Sequence, residues 1–364
     1  MTLKDKKLCI CIPALKAGGS ERVAAELANY ALSLGVEVHI ILMSDQEVFY
    51  KLNTNVQLHI PKFKKGNKLV YYLRVIWFIR KRLKENKLVH VFSLGYRLIP
   101  VLASIGMKID HSGSHRTSIN RGWKPFKLSG VKRNIFDYFY RTASNYSKMH
   151  TKKMIYQTPE AMEHYQKSYP NADAVVLPNF LREIKLYNTD RQKVVLCIGR
   201  LSPEKGQIYL VEAFSKVNYH DWKLIFVGDG PARNQLEKRV EELGLTSSII
   251  FEGFKENVDE YMQASEIFVL PSLHEGFPNA LLEAMANGLA CISFSSNYGS
   301  CELIDHGVNG YLVETMNVDE LAKQIENLIN DSNTRTKFQK NATEVLDKYS
   351  LDKIGKAYLH FILN

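Results

Sequence analysis

The chain has no apolar run long enough to cross a bilayer. Its longest, residues 69–79 (broken by Arg74) and 98–107, fall short of the ~20 residues a spanning helix needs. The N-terminus, MTLKDKKLCICIPAL, is basic and passes through a short apolar stretch to Ala17-Gly18-Gly19, without a signal-peptide core or cleavage site. The expected location is therefore the cytoplasm. Cysteines are few and odd in number: Cys9, Cys11, Cys197, Cys291 and Cys301, with no C-x-x-C pair. They read as buried apolar fillers in a reducing compartment, so neither structural zinc nor a disulfide is expected. The G-x-G-x-x-G fingerprint is missing too. Gly18-Gly19 lacks it, and Gly228-x-Gly230 runs on to Arg233 instead of a third glycine, so a dinucleotide is not indicated.

Acid is scarce in the first half. Between Lys62 and Lys153 the only acidic residues are Glu85, Asp110 and Asp137. Residues 1–179 hold 29 Lys and Arg against 12 Asp and Glu, whereas residues 180–364 hold 19 against 26. A net +17 facing a net −7 points to an anionic membrane or polyanion against the first half. The 364 residues, 45% apolar, suffice for two α/β domains.

Strands and helices alternate along the chain. Residues 7–12 read as a strand, Gly18-Gly19 as a turn at its carboxyl end, residues 20–33 as a helix, and residues 36–43 as the next strand. In residues 62–86 an apolar and aromatic stripe of Leu69, Tyr72, Leu73, Ile76, Trp77, Ile79 and Leu83 runs beside basic residues. Such a helix can lie in a membrane interface or pack its stripe on a sheet. A strand over 109–114 ends in Ser114-His115-Arg116-Thr117, which places His115 and Arg116 where a doubly wound sheet meets its ligand. Residues 123–150 interleave aromatics (Trp123, Phe126, Phe136, Tyr138, Phe139) with cations (Lys127, Lys132, Arg133, Arg141). The mixture suits single-stranded nucleic acid or an anionic membrane. No RNA-binding signature accompanies it, so the membrane is the expected partner and nucleic acid is not.

Residues 175–180, VVLPNF, with the polar run after them, read as a linker. Beyond it a strand over 194–198 meets Gly199-Arg200-Leu201-Ser202-Pro203-Glu204-Lys205-Gly206 and a helix over 207–216. A strand, a glycine turn, two cations and a helix N-terminus make a phosphate site by physics alone. Next come a strand over 222–227 with a GDGP turn, and a strand over 249–251 leading to Phe254.

The densest stretch is 268–294, FVLPSLHEGFPNALLEAMANGLACISF. It reads as a strand, a polar turn carrying Glu275, Gly276 and Phe277, a helix begun by Pro278 or capped by Asn279, and another strand. Asn287-Gly288 supplies the helix stop. Glu275 and Glu283 stand with seven residues between them and can both face the crevice at the sheet's carboxyl end. Free N–H groups at the helix start attract a phosphate, and carboxylates accept from hydroxyls, which together describe a sugar nucleotide. Helices over 319–330 and 333–346 follow, and one over 349–363 closes the chain.

HEGFPNALLEAMANG resembles the glutamate-x7-glutamate signature of the retaining glycosyltransferases of family 4, of the bacterial surface-polysaccharide type. GRLSPEKG and the GDGP turn are similar to further elements of that family. The resemblance implies an α/β GT-B fold: two Rossmann-like, doubly wound parallel-sheet domains facing a central cleft. Residues 1–179, completed by a helix over 349–364, would bind the acceptor, and residues 180–348 the nucleotide sugar. It further implies transfer of a hexose or N-acetylhexosamine from a UDP-sugar to a lipid-linked glycan without metal or other cofactor. On that reading Arg200 and Lys205 bind the diphosphate beside Gly199, and Gly18 and Gly19 lie against phosphates and sugar. Glu275 holds the sugar with Gly276, Phe277, Pro278 and Asn279, Glu283 takes the ribose, and Phe254 flanks the base. His115 and Arg116 face the acceptor, with His115 among the catalytic candidates. The implied place is the cytoplasmic face of the inner membrane. Two rival readings remain. A glycoside or sugar-nucleotide hydrolase or epimerase would share the paired carboxylates. A non-catalytic basic membrane- or nucleic-acid-binding module would explain the first half and leave the second unexplained.

Overall fold

The computed structural model describes residues 3–63, 66–116, 130–295 and 299–364. The chain divides into two compact units, one of Met1–Phe180 with Leu351–Asn364 and the other of Leu181–Ser350.

The first unit carries β1 (Lys7–Ile12), β2 (Glu37–Leu42), β3 (Gln57–His59), β4 (His90–Leu94), β5 (Asp110–His115), β6 (Thr151–Tyr156) and β7 (Asp173–Val176). They form one parallel sheet in the order β3-β2-β1-β4-β5-β6-β7. Among the described residues the α-helices between them are α1 (Gly19–Ser33), α2 (Lys68–Glu85), α3 (Leu98–Ala103), α4 (Gly130–Met149) and α5 (Pro159–Tyr165). β1 is buried from Leu8 to Ile12, as a central strand covered on both faces must be. Its two-residue period splits the core. Leu8, Ile10 and Ile12 join Leu27, Ala28 and Ala31 of α1, while Cys9 and Cys11 join Val75, Ile79 and Leu83 of α2.

The second unit repeats the plan with β8 (Gln192–Ile198), β9 (Lys223–Val227), β10 (Ile249–Gly253), β11 (Ser265–Leu270), β12 (Ala290–Phe294) and β13 (Gly310–Val313). Their order is β10-β9-β8-β11-β12-β13, again all parallel. Its helices are α6 (Gln207–Phe214), α7 (Arg233–Glu242), α8 (Asp259–Gln263), α9 (Asn279–Ala286), α10 (Val318–Asn330), α11 (Ser332–Ala342) and α12 (Val345–Lys348). The chain then returns to the first unit through α13 (Lys356–Leu363). There Tyr358 is fully buried: its ring meets Phe92 and Phe180, and its hydroxyl donates to the Leu177 carbonyl at 3.0 Å. Each sheet is a doubly wound, Rossmann-like array that reverses direction once, at β1/β4 and at β8/β11. Ligands of such sheets bind outside the carboxyl ends of the strands at that reversal.

Several local expectations need correction. Residues 175–180 do not begin as a linker, because Val175 and Val176 pair with Ile155 and Tyr156 at the open edge of the sheet. The helix expected over 333–346 breaks into α11 and α12, and the terminal helix opens with a π-helical turn, Leu351–Gly355, before α13. Four cysteines are buried, whereas Cys301 is exposed, in a turn and not in a strand. Helix α2 divides the expected stripe: Ile79 and Leu83 are buried together with Val75 and Phe78, whereas Leu69, Leu73 and Trp77 are exposed.

The first unit also buries imidazole. Burial pushes His59, His111 and His115 down to about 4. These rings are therefore neutral in the folded unit at pH 7, and in the unfolded chain they regain a value near ~6.5. Below that pH the unfolded chain binds more protons. The stabilisation is thus complete above pH ~6.5 and is lost progressively as pH falls toward the folded values. His111, with Nε2 2.7 Å from Ser104 Oγ, contributes at most about 3 kcal/mol. Urea unfolding between pH 6.5 and 4.5 should show a falling midpoint, less steep in His111→Gln. An equal slope in both proteins would rule His111 out as a source.

Candidate active site

Two loops leave neighbouring strands at the reversal of the second sheet, one after β8 and one after β11. They touch because Gly206 sits at φ +65°, where a Cβ would lie 2.1 Å from the Pro271 carbonyl oxygen. Only glycine meets both demands, left-handed backbone and no side chain. Leu273 N–H then donates to the Glu204 carbonyl at 3.0 Å and ties the loops together. Across this seam Lys205 Nζ meets Glu275 Oε1 at 2.5 Å, both side chains mostly buried. Arg200 lies exposed at the rim, its Nη2 2.7 Å from Glu204 Oε1, and Gln207 Nε2 donates to its carbonyl at 3.0 Å.

The GDGP turn braces the same loop. A Cβ on Gly228 would fall 2.0 Å from the Gly199 carbonyl oxygen, so backbone packs directly on backbone. Leu201 N–H donates to Asp229 and Ala232 N–H to Leu201, each at 3.0 Å. Phe254 follows β10 and is exposed. Gly276 lies partly exposed in the turn that carries Glu275. The Phe277 side chain is core, 5.8 Å from the Tyr349 ring centre, which leaves its backbone for any ligand.

Helix α9 starts one residue later than proline at its first position would place it. Pro278 occupies the cap with extended backbone and no side-chain cap bond, and Asn279 is the first helical residue instead of the cap. Pro278 therefore gives the helix start no side-chain cap of its own, which suits a site for an external anion. It ends as expected at Asn287, with Gly288 at φ +69°. Glu283, in its second turn, is 6% exposed among Leu281, Leu282, Ala284 and Met285. Arg182 donates to its Oε2 from Nε and Nη2 at 3.3 and 3.2 Å, and also to the buried Asp259. Arg182 and Asp259 escaped the sequence reading. One looked like a linker charge, and the other lies on a five-residue helix too short to show a period.

In the first unit Gly18 has extended backbone (φ −175°) and caps α1, and its N–H and C=O both bond the Tyr50 hydroxyl, at 3.0 and 2.8 Å. Gly19 is the exposed first residue of α1. Glu21, in the same turn, has its carboxyl raised by burial, and Arg116 partly opposes the shift. His115 ends β5 and stacks on Tyr165 with ring centres 3.8 Å apart. Burial, aided by Arg97 and His164, keeps it neutral at pH 7. Arg116 donates to Asn179 Oδ1, which also accepts from Gln157 Nε2 at 2.6 Å. Trp123, Phe126 and Lys127 lie outside the described residues. Gly199, Arg200, Lys205, Glu275–Asn279 and Glu283 thus share the reversal of one sheet, and His115 and Arg116 end a strand of the other. Among the described residues no cluster of three His, Cys, Asp or Glu side chains could hold a metal ion.

Comparison with known proteins covers almost the whole chain. Residues 17–182 match the family model "Glycosyltransferase Family 4" and residues 181–345 match "Glycosyl transferases group 1". A Campylobacter jejuni relative is 28% identical over 98% of both chains. Its name is GalNAc-alpha-(1->4)-GalNAc-alpha-(1->3)-diNAcBac-PP-undecaprenol alpha-1,4-N-acetyl-D-galactosaminyltransferase. An Escherichia coli relative, UDP-Gal:alpha-D-GlcNAc-diphosphoundecaprenol alpha-1,3-galactosyltransferase, is 28% identical over 47% of this chain and 46% of its own. Among solved structures, Anabaena HepE in complex with UDP superposes with a TM-score of 0.77 at 19% identity, over 97% of this chain and 98% of its own. WaaG, a glycosyltransferase involved in lipopolysaccharide biosynthesis, gives 0.74 at 17% identity, over 98% and 99%.

An anion entering the seam competes with Glu275 for Lys205. Calorimetry with inorganic pyrophosphate should show binding weakened by roughly 10- to 100-fold in Lys205→Met, the loss of one charged hydrogen bond. Glu275→Gln, which removes the competing charge, should tighten it. Weaker binding in Glu275→Gln would mean that the ion pair builds the site and does not compete for it.

Proposed function

Because this chain belongs to glycosyltransferase family 4, of GT-B fold, we infer that it transfers a sugar from a nucleoside diphosphate sugar to a lipid-linked glycan, with retention of configuration. The observation that carries the reading is the Lys205–Glu275 pair at the reversal of the second sheet, beside the uncapped start of α9. It sets a phosphate-binding cation and a hydroxyl-binding carboxylate in contact, the demands of a diphosphate joined to a sugar. Arg200, Lys205 and the α9 N-terminus stabilise the negative charge that grows on the leaving diphosphate. Glu275, with the N–H groups of Gly276 and Phe277, holds the transferred sugar. Glu283 accepts the ribose hydroxyls, and Phe254 borders the base.

The acceptor oxygen bonds to the sugar's anomeric carbon on the face from which the diphosphate departs. Its proton passes to the leaving phosphate oxygen, so the step needs neither a separate base nor a metal. His115, neutral at pH 7, and Arg116 are the acceptor contacts proposed on the first unit. A UDP-sugar carrying a hexose or N-acetylhexosamine is the favoured donor, supported by the UDP in HepE and by the names of the relatives. Those names also support a diphosphate-lipid acceptor and a role in capsule, O-antigen or related glycan synthesis. Purified protein incubated with a panel of sugar nucleotides should hydrolyse one of them slowly without acceptor, as read by mass spectrometry. Glu275→Ala and Arg200→Ala should lose about 100-fold or more of that turnover. If neither variant weakens binding or turnover, the assignment fails.

A lipid-linked acceptor asks the enzyme to work at a membrane. On α2, Leu69, Leu73 and Trp77 stand four residues apart and are 70%, 57% and 60% exposed, with Lys81 Nζ 5.5 Å above the Trp77 ring. Exposed Tyr138 and Phe139 lie on α4. An apolar stripe edged by lysine and arginine suits the surface of an anionic bilayer, and the cytoplasmic face is the proposed side. In liposome flotation, binding should require anionic lipid, weaken with salt, and drop at least several-fold in Leu73→Ser/Trp77→Ser. Binding indifferent to lipid charge and to these substitutions would remove this part of the reading.

A further inference from the structure

We propose that Arg182 is a positioning residue for Glu283, and that the buried Asp259 sets the Arg182 guanidinium in place. The proposal rests on the assignment of Glu283 to the donor's ribose. Arg182 is the second residue of the second unit. Its Nη1 and Nη2 donate to the two oxygens of Asp259 at 2.7 and 2.5 Å, the parallel two-bond geometry that fixes a guanidinium plane. Asp259 is 1% exposed and also accepts from the Lys185 N–H at 3.2 Å, so it cannot swing away. The remaining edge of the guanidinium, Nε and Nη2, meets a single oxygen of Glu283, Oε2.

This arrangement does two things for Glu283. It gives a buried carboxylate an ion-pair partner among Leu281, Leu282 and Met285, where burial without a partner is costly. It also turns the carboxyl plane, since both Arg182 contacts fall on one oxygen. The frame around the contact is tied down. Tyr187 N–H donates to Gln263 Oε1 at 2.7 Å, and Gln263 Nε2 donates to the Lys185 carbonyl at 2.7 Å and to Asn287 Oδ1 at 3.0 Å. The segment after the unit boundary is thereby bolted to α8 and to the end of α9, with Arg182 as its inward arm. Lysine cannot substitute, for it lacks the planar fork that holds two carboxylates at fixed angles.

The test reads ribose discrimination, which a purely structural tie would not move. Calorimetry on the full chain with UDP, 2′-deoxy-UDP and 3′-deoxy-UDP should give wild type a preference for UDP of about tenfold or more. In Arg182→Ala that preference should shrink to within about threefold, with only partial recovery in Arg182→Lys. Asp259→Asn should shift it the same way, because it loosens the guanidinium. Pyrophosphate affinity, set at Lys205, should stay at the wild-type value and reports an intact site. If Glu283→Ala loses the discrimination while Arg182→Ala keeps it, the positioning role is wrong and the ribose assignment stands. If wild type shows no discrimination, or Glu283→Ala retains it, the ribose assignment fails and this proposal with it. Should Arg182→Ala not fold, Arg182→Gln and Asp259→Asn decide by the same ratio.

Discussion

A backbone contact that no side chain could survive holds the candidate site together. Gly206 lies against the Pro271 carbonyl, and this approach lets the loop after β8 and the loop after β11 share a hydrogen bond and an ion pair. The GDGP turn acts from the other side by the same means, with Gly228 seated on the Gly199 carbonyl. The charged residues of the site are therefore set by rigid backbone packing, which is what a site needs if it is to stabilise charge without reorganising.

Much of this was legible in the sequence because the signals are local. Buried parallel strands such as Leu8–Ile12 and the run before Pro271 are continuous apolar stretches, and each is followed by glycine and charge at its carboxyl end. The ends of β8 and β11 could thus be singled out as candidate site loops before any strand order was known. That these two strands are neighbours, and that Lys205 reaches Glu275, depends on sheet order. No window of sequence contains the 70 residues that separate them.

What escaped was either short or long-range. β3 and α8 have three and five residues, less than two full periods of pattern. β7 hid inside an apparent linker because an edge strand needs only a partner and two β-branched residues. Arg182 sits 101 residues from Glu283, in a stretch whose composition matches solvated loop. The division of the α2 stripe was hidden for a different reason. Its apolar residues wrap more than one face, so periodicity alone could not say which of them, Leu73 and Trp77 or Ile79 and Leu83, would take the core.

The first unit is discontinuous, and this sets an order of events during synthesis. Tyr358, Leu359, Ile362 and Leu363 complete its core, yet they follow the whole of the second unit in the chain. On the ribosome Phe92 and Phe180 lack their Tyr358 cover until the whole of the second unit, contiguous from Leu181 to Ser350, has been made. A domain contiguous at the N-terminus has its full core available earlier. A nascent chain stalled between Ser350 and Tyr358 carries a complete second unit joined to a first unit whose uncovered apolar surface chaperones would recognise.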